Sequence, residues 1–236
     1  MKAVMLIPGP EGGRIEVQDA PQPTPGPRDV LIKVKATAIN RGEVVGRRGL
    51  KTGDPVISGI ELAGEVEKTG VDAGSFKVGD RVMGQVRGCN ADYAVAHQDL
   101  LMPVPDHLDW VQAASLPNVL VTAHDAIVTN GAMTQGETVL VNAGSSGIGI
   151  AAIQIARALG AGTIIATSRG PEKLAALEAL GADVRVDLSS ESIIDAVAAA
   201  TDGKGVNLII DSVGGPDLAD NIEILGLKGR LIGVGR

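Results

Sequence analysis

The run Val139-Leu140-Val141-Asn142-Ala143-Gly144-Ser145-Ser146-Gly147-Ile148-Gly149 constrains the fold more than any other stretch of this chain. An apolar strand, Thr138–Asn142, enters it. Small residues then open a helix whose inward stripe is expected at Ile148, Ala151, Ala152, Ile155 and Leu159, with Gly160 closing it. A strand, a glycine-rich turn and a helix N-terminus together cradle phosphate, because unpaired backbone N–H groups and the helix dipole face the anion. Measured against Gly-x-Gly-x-x-Gly, the second glycine is Ser146, so the weight rests on the strand–turn–helix context. That context recurs. Strands are expected at Thr163–Thr167, Val184–Asp187, Val206–Asp211 and Arg230–Val234. Between them lie helices marked by Leu174, Leu177 and Leu180 after Pro171, by Ile193, Ile194 and Val197 before Asp202-Gly203, and by inward Leu218, Ile222 and Leu225 after Pro216. Repeated β–α units predict a parallel, doubly wound α/β sheet. Five strands are counted where the dinucleotide fold has six, so the C-terminal part of the sheet is expected to be missing.

Residues before about 120 follow a different pattern. Lys2–Ile7, Arg14–Val17, Val30–Ala36, Leu62–Lys68, Arg81–Val86 and Asp92–Ala96 are short β-type runs separated by Gly, Pro and Asp, which suggests a small β-barrel or sandwich. Asp109 with Gln112 three residues later predicts a capped helix beginning at Trp110. The expected division is residues 1–122 for the first domain and 123–236 for the second. Lys plus Arg number 21 against 28 Asp plus Glu, a net charge of −7, which argues against nucleic acid or an acidic membrane as partner. One cysteine, Cys89, excludes an internal disulfide framework and a multi-Cys zinc site. No signal-peptide core or spanning segment is found, and the expected location is cytoplasmic.

The end of the second strand of a dinucleotide fold discriminates between the two nicotinamide cofactors. Here it reads Thr167-Ser168-Arg169, with Lys173 one turn into the next helix. No acid is present to grip a ribose 2′-hydroxyl. Ser168 can hydrogen-bond a 2′-phosphate, and Arg169 and Lys173 supply positive charge, so NADPH is the expected cofactor.

Further motifs run the length of the chain. They include Pro25-Gly26-Pro27-Arg28-Asp29-Val30, Ala38-Ile39-Asn40-Arg41-Gly42-Glu43, Gly59-Ile60-Glu61-Leu62-Ala63-Gly64-Glu65-Val66 and Phe76-Lys77-Val78-Gly79-Asp80-Arg81-Val82. Ala113-Ala114-Ser115-Leu116-Pro117 with Thr122-Ala123, Asp211-Ser212-Val213-Gly214-Gly215 and Gly229-Arg230-Leu231-Ile232 complete the set. With these the chain resembles the medium-chain dehydrogenase/reductase superfamily, nearest its zinc-independent quinone oxidoreductase (ζ-crystallin-like) branch. The resemblance implies a GroES-like N-terminal domain, a Rossmann domain and a cleft for nicotinamide and substrate. It implies cofactor contacts from Gly144, Ser145, Ser146, Gly147, Ile148, Ser212, Val213, Gly233 and Val234, besides Ser168, Arg169 and Lys173. It also implies that Asn40 and Thr122 face the nicotinamide or substrate, with Arg41 a neighbour. Zinc-dependent relatives carry ligands where this chain has Asn40, Ile60 and Asn118, so no metal is expected, and Glu61 reads as structural.

Without zinc to polarise a simple ketone, hydride transfer favours a quinone or an activated alkene, whose conjugated carbonyl delocalises the developing charge. The expected partner is therefore a small-molecule quinone or enone, and a homodimer is a possible assembly. Alternatives are an enoyl-thioester reductase of the same superfamily, although Arg48-Gly49-Leu50-Lys51-Thr52 lacks the tyrosine such enzymes often use, and a crystallin-like NADPH binder without turnover. A short-chain dehydrogenase is excluded because Tyr93 is the only tyrosine and His97 follows it four residues on.

Overall fold

The computed structural model describes residues 1–235; Arg236, the last residue of the expected second domain, lies outside them. The chain divides into two units, with the boundary between Asn118 and Val119.

In the N-terminal unit the strands are β1 (Lys2–Ile7), β2 (Arg14–Asp19), β3 (Asp29–Thr37), β4 (Val56–Ile57), β5 (Glu61–Thr69), β6 (Arg81–Gln85), β7 (Tyr93–His97) and β8 (Leu101–Pro103). They form a three-stranded sheet, β2-β1-β4, and a five-stranded one, β7-β3-β5-β6-β8, both antiparallel. Val30, Ile32, Leu62, Val66, Val82, Ala94 and Ala96 share one buried cluster. Their period of two puts them on one face of the sheet, and Ala63 and Met83 on the other face pack with Ala113 and Ala114. Two short helices are added, α1 (Arg41–Gly49) and α2 (Trp110–Ala114). Helix α2 starts as expected: the Asp109 carboxylate accepts from Gln112 N at 2.8 Å, and the Gln112 side chain accepts from Asp109 N at 3.0 Å.

Helix α3 (Pro117–His124) follows. The C-terminal unit then alternates strand and helix: β9 (Thr138–Val141), α4 (Gly147–Ala158), β10 (Thr163–Ser168), α5 (Pro171–Ala179), β11 (Val184–Asp187), α6 (Ile193–Thr201), β12 (Val206–Asp211), α7 (Leu218–Glu223) and β13 (Leu225–Gly233). The sheet is parallel, in the order β11-β10-β9-β12-β13. One residue face of β9, β10 and β12 (Val139, Val141, Ile164, Ala166, Leu208, Ile210) packs with α4 and α5. The opposite face (Leu140, Ile165, Ile209) packs with Val197 of α6 and with Ile224. Helices therefore cover both faces, the architecture of a Rossmann-type sheet.

Two expected faces are corrected. On α4, the expected Ala151 and Ala152 are buried and Ile148 and Ile155 pack partly buried against the same core, but Ile153 and Ala156 join them while Leu159 is 45% exposed. Leu218 and Ile222 do not point inward: they are 45% and 60% exposed, and α7 buries Asn221 instead. A polar network holds α7 in place of an apolar stripe. The last strand also begins at Leu225 rather than Arg230, with a register shift against β12 and Lys228 at φ 60. Among the described residues no helix is long and apolar enough to cross a membrane.

Candidate functional site

Strand order places the carboxyl ends of β9, β10, β12 and β13 beside one another, with β9 the point at which the chain turns from one side of the sheet to the other. Ligands of open α/β sheets bind at such points. The glycine-rich turn leaves β9 there. Ala143 adopts φ 51, and a side chain at Gly149 would put its Cβ 2.4 Å from Ala143 O. Only glycine permits that approach. Ser146 stands at the position of the second glycine and is the N-cap of α4, its hydroxyl accepting from Gly149 N at 3.1 Å. Ser145 and Ser168 join the turn to the end of β10, their hydroxyl oxygens 2.8 Å apart. Gly144 N donates to Thr167 O at 2.7 Å.

Beyond Ser168, Arg169 and Lys173 are exposed, and neither forms an ion pair among the described residues. Arg169 lines a cavity of about 210 Å³ together with Asn142, Leu188, Ser192, Asn221 and the acidic Glu191, Asp217 and Asp220. At the other strand ends, Ser212 Oγ donates to Asn142 O at 3.4 Å, Val213 is exposed, and Val234 N donates to Asp211 O at 2.8 Å. Gly233 is exposed and Ile148 half-buried. Thr122 is half-buried on α3.

Sequence reasoning missed what holds these turns. Asp211 is buried, and its carboxylate accepts from Val213 N at 3.0 Å, Gly214 N at 3.2 Å, Asn221 Nδ2 at 3.3 Å and Asn142 Nδ2 at 3.4 Å. Asn142 Nδ2 also donates to Asn221 Oδ1 at 2.9 Å, and Thr167 Oγ1 donates to Asn142 Oδ1 at 3.2 Å. Thr167 Oγ1 in turn accepts from Ala143 N at 3.2 Å. One available signal was that Asn142, Thr167 and Asp211 all lie at the carboxyl ends of expected strands.

In the N-terminal unit, Asn40 is the N-cap residue of α1, in a capping-box arrangement with Glu43. Its backbone N–H donates to Glu43 Oε2 at 2.8 Å. Its side-chain Nδ2 donates to Glu61 Oε1 at 2.6 Å, and Oδ1 accepts from Asn118 Nδ2 at 2.7 Å. Asn118 Oδ1 accepts from Gln85 Nε2 at 2.7 Å, and Asn118 N donates to Glu61 Oε2 at 2.8 Å. Glu61, at the start of β5, is 2% exposed. Cys89 Sγ donates to Glu61 O at 3.2 Å, and burial pushes this thiol up to about 12. The expected non-ligands Asn40 and Asn118 are thus hydrogen-bonded to each other and to Glu61.

Comparison with known proteins follows the same division. Residues 26–106 match the alcohol dehydrogenase GroES-like domain, and residues 147–236 match the zinc-binding dehydrogenase family. Human quinone oxidoreductase is 33% identical over 242 residues, covering 100% of this chain and 73% of that protein. The chain belongs to the medium-chain dehydrogenase/reductase superfamily. Within it the chain is quinone oxidoreductase-like. Mycoketide-CoA synthase of Mycobacterium tuberculosis (strain ATCC 25618 / H37Rv) is 35% identical across 96% of this chain, which spans only 5% of that protein. A mycobacterial structure complexed with NADPH has a TM-score of 0.85 at 31% identity, covering 98% of this chain and 73% of that one. The CurK enoyl reductase has a TM-score of 0.90 at 26% identity, covering 100% and 76%.

Proposed function

We propose that this chain is an NADPH-dependent oxidoreductase that delivers hydride to a quinone or another α,β-unsaturated carbonyl without zinc. The observation that carries the reading is the hydrogen-bonded set at Asn40, Asn118 and Glu61. Zinc requires about three N, S or O ligands in tetrahedral reach. Ile60 offers none, the amide oxygens of Asn40 and Asn118 already accept hydrogen bonds, and the Cys89 thiol is buried and protonated. These residues do not fit zinc. An acceptor that delocalises charge then requires only hydrogen bonding at its carbonyl oxygen, a task suited to the amide of Asn40.

NADPH, when bound, supplies the hydride. In the turn Gly144–Ile148 the backbone N–H groups of Gly144 and Ser146 are bonded to Thr167 O and Ala143 O, so those of Ser145, Gly147 and Ile148 at the start of α4 are the ones offered to a pyrophosphate. Because Ser168 is engaged with Ser145, Arg169 and Lys173 carry the discrimination for the 2′-phosphate. Ser212, Val213, Gly233 and Val234 border the remaining strand ends, and Thr122 acts beside the nicotinamide or substrate.

A second reading, reduction of an enoyl thioester, is favoured by the likeness to the CurK enoyl reductase. One assay separates the two. NADPH oxidation is followed with a panel of quinones, simple enones, a crotonyl thioester and, in reverse, simple alcohols, alongside elemental analysis for zinc. Turnover of quinones or enones without stoichiometric zinc is expected. Turnover confined to the thioester selects the second reading. Efficient oxidation of alcohols with chelator-sensitive metal overturns both.

A further inference from the structure

We propose that Glu61 is a positioning residue that fixes which way the amide of Asn40 faces, through a one-way chain of hydrogen bonds running Gln85 → Asn118 → Asn40 → Glu61. The inference rests on the reading of Asn40 as a group that meets substrate, and it assigns Glu61 a role beyond a structural one. Every side-chain donor in the chain points the same way: Gln85 Nε2 to Asn118 Oδ1, Asn118 Nδ2 to Asn40 Oδ1, Asn40 Nδ2 to Glu61 Oε1. An amide can be turned over, exchanging its donor and acceptor ends, and a row of three amides could run equally well in reverse. A carboxylate has only acceptors. With Glu61 at the end, reversal would set Asn40 Oδ1 against Glu61 Oε1 across the 2.6 Å that now holds a hydrogen bond. Turning over Asn40 alone would also set two amide nitrogens against each other between Asn40 and Asn118.

Two further contacts keep Glu61 from adapting. Its second oxygen is held by the backbone N–H of Asn118, a donor that cannot invert. The side chain is 2% exposed and forms no ion pair among the described residues, so neither solvent nor a cation competes for its oxygens. Asn40 itself is anchored through its backbone N–H to Glu43 Oε2, and its amide is held between Asn118 and Glu61. Once the plane is set, one Nδ2 hydrogen remains for a ligand, on a defined corner of the amide. A fixed N–H donor suits a conjugated carbonyl oxygen on which negative charge develops, and turning the amide over would present oxygen to oxygen.

The test exchanges the ends of the chain. In Glu61→Gln the fixed terminus is gone, and turnover of the quinone or enone is expected to fall on the order of 10²-fold, the effect of losing one such donor. NADPH affinity, set by the other unit, stays unchanged. In Glu61→Gln/Gln85→Glu the carboxylate sits at the opposite end, and every bond can re-form in reverse, including that from Asn118 N. This double variant is expected to regain the wild-type melting temperature yet remain slow. Recovery of both stability and turnover would show a merely structural network and overturn the proposal.

A second arm needs no activity. Side-chain amide ¹H–¹⁵N resonances of Asn40, assigned with Asn40→Asp, should move in the double variant as the carboxylate partner is lost from Nδ2. Unmoved resonances overturn the proposal even if Glu61→Gln folds poorly. Should the wild-type chain turn over no quinone, enone or enoyl thioester, the functional reading fails while this arm still decides the orientation.

Discussion

Each unit builds its polar centre on one buried carboxylate without an ion-pair partner among the described residues, and the two are used differently. Glu61 ends a line: one oxygen takes a side-chain amide, the other a backbone N–H, and the line continues through Asn40 and Asn118 to Gln85. Asp211 is a hub: two backbone N–H groups and two amide side chains converge on it from the loop after β12, from the end of β9 and from α7. A line passes on a direction and orients one side chain. A hub pins several pieces of main chain at once. The first arrangement suits a group that must face a reacting atom, the second a set of turns that must hold one shape around an extended cofactor.

The largest effect should come from the hub. Asp211→Ala leaves two backbone and two side-chain donors without their acceptor, and unsatisfied buried donors cost about 1–3 kcal/mol each. A loss of roughly 3 kcal/mol or more is expected in urea unfolding, with NADPH and NADH weakened by the same factor. If Asp211→Ala costs less stability than Glu61→Gln, the contrast between hub and line is wrong.

Next is Arg169→Ala, which sharpens the distinction between holding a turn and reading a cofactor. It should weaken NADPH by about 1–3 kcal/mol, the range of a charged hydrogen bond, and leave NADH and the melting temperature unaltered. Titration calorimetry with both cofactors checks this, and an equal loss of the two would remove Arg169 and Lys173 from discrimination.

A smaller effect is expected at a third carboxylate, which does have a cation. Arg230 on β13 pairs with Glu137 at 2.8 Å and donates to Gly131 O, tying the sheet edge to the turn before β9. Arg230 hydrogen bonds hold the Glu137 carboxyl below its ordinary value of 4.5. A lowered folded value means the stabilisation is present above 4.5 and is lost as pH falls through that lower value. Glu137→Gln should cost about 1 kcal/mol at neutral pH and flatten the acid limb of a stability profile. An unchanged acid limb would remove this pair from the account.

The smallest effect is at Cys89. A buried thiol pushed up to about 12 should not react with a disulfide reagent at neutral pH in the folded chain, and one thiol per chain should appear on unfolding. Rapid labelling of the native protein would show that the neighbourhood of Glu61 is open.

Local sequence determined the elements, because strand and helix periods, caps and glycine turns act over a few residues. The alternation from β9 to β13, the cap at Asp109 and the phosphate-type turn at Gly144 to Gly149 are legible in that way. The inward face of α7 was not. Leu218 and Ile222 have helical spacing, but the helix is held by Asn221 bonded to Asn142 and Asp211, partners 79 and 10 residues away in the chain. The same limit governs the candidate site. Asn40 and Asn118 could be singled out by type and position, and Glu61 could be quoted from its motif. That the three meet in one directed chain depended on contacts spanning 21, 57 and 78 residues. Hydrogen-bond direction belongs to neither partner alone. It is decided when the fold places an acceptor-only carboxylate at one end of a row of reversible amides.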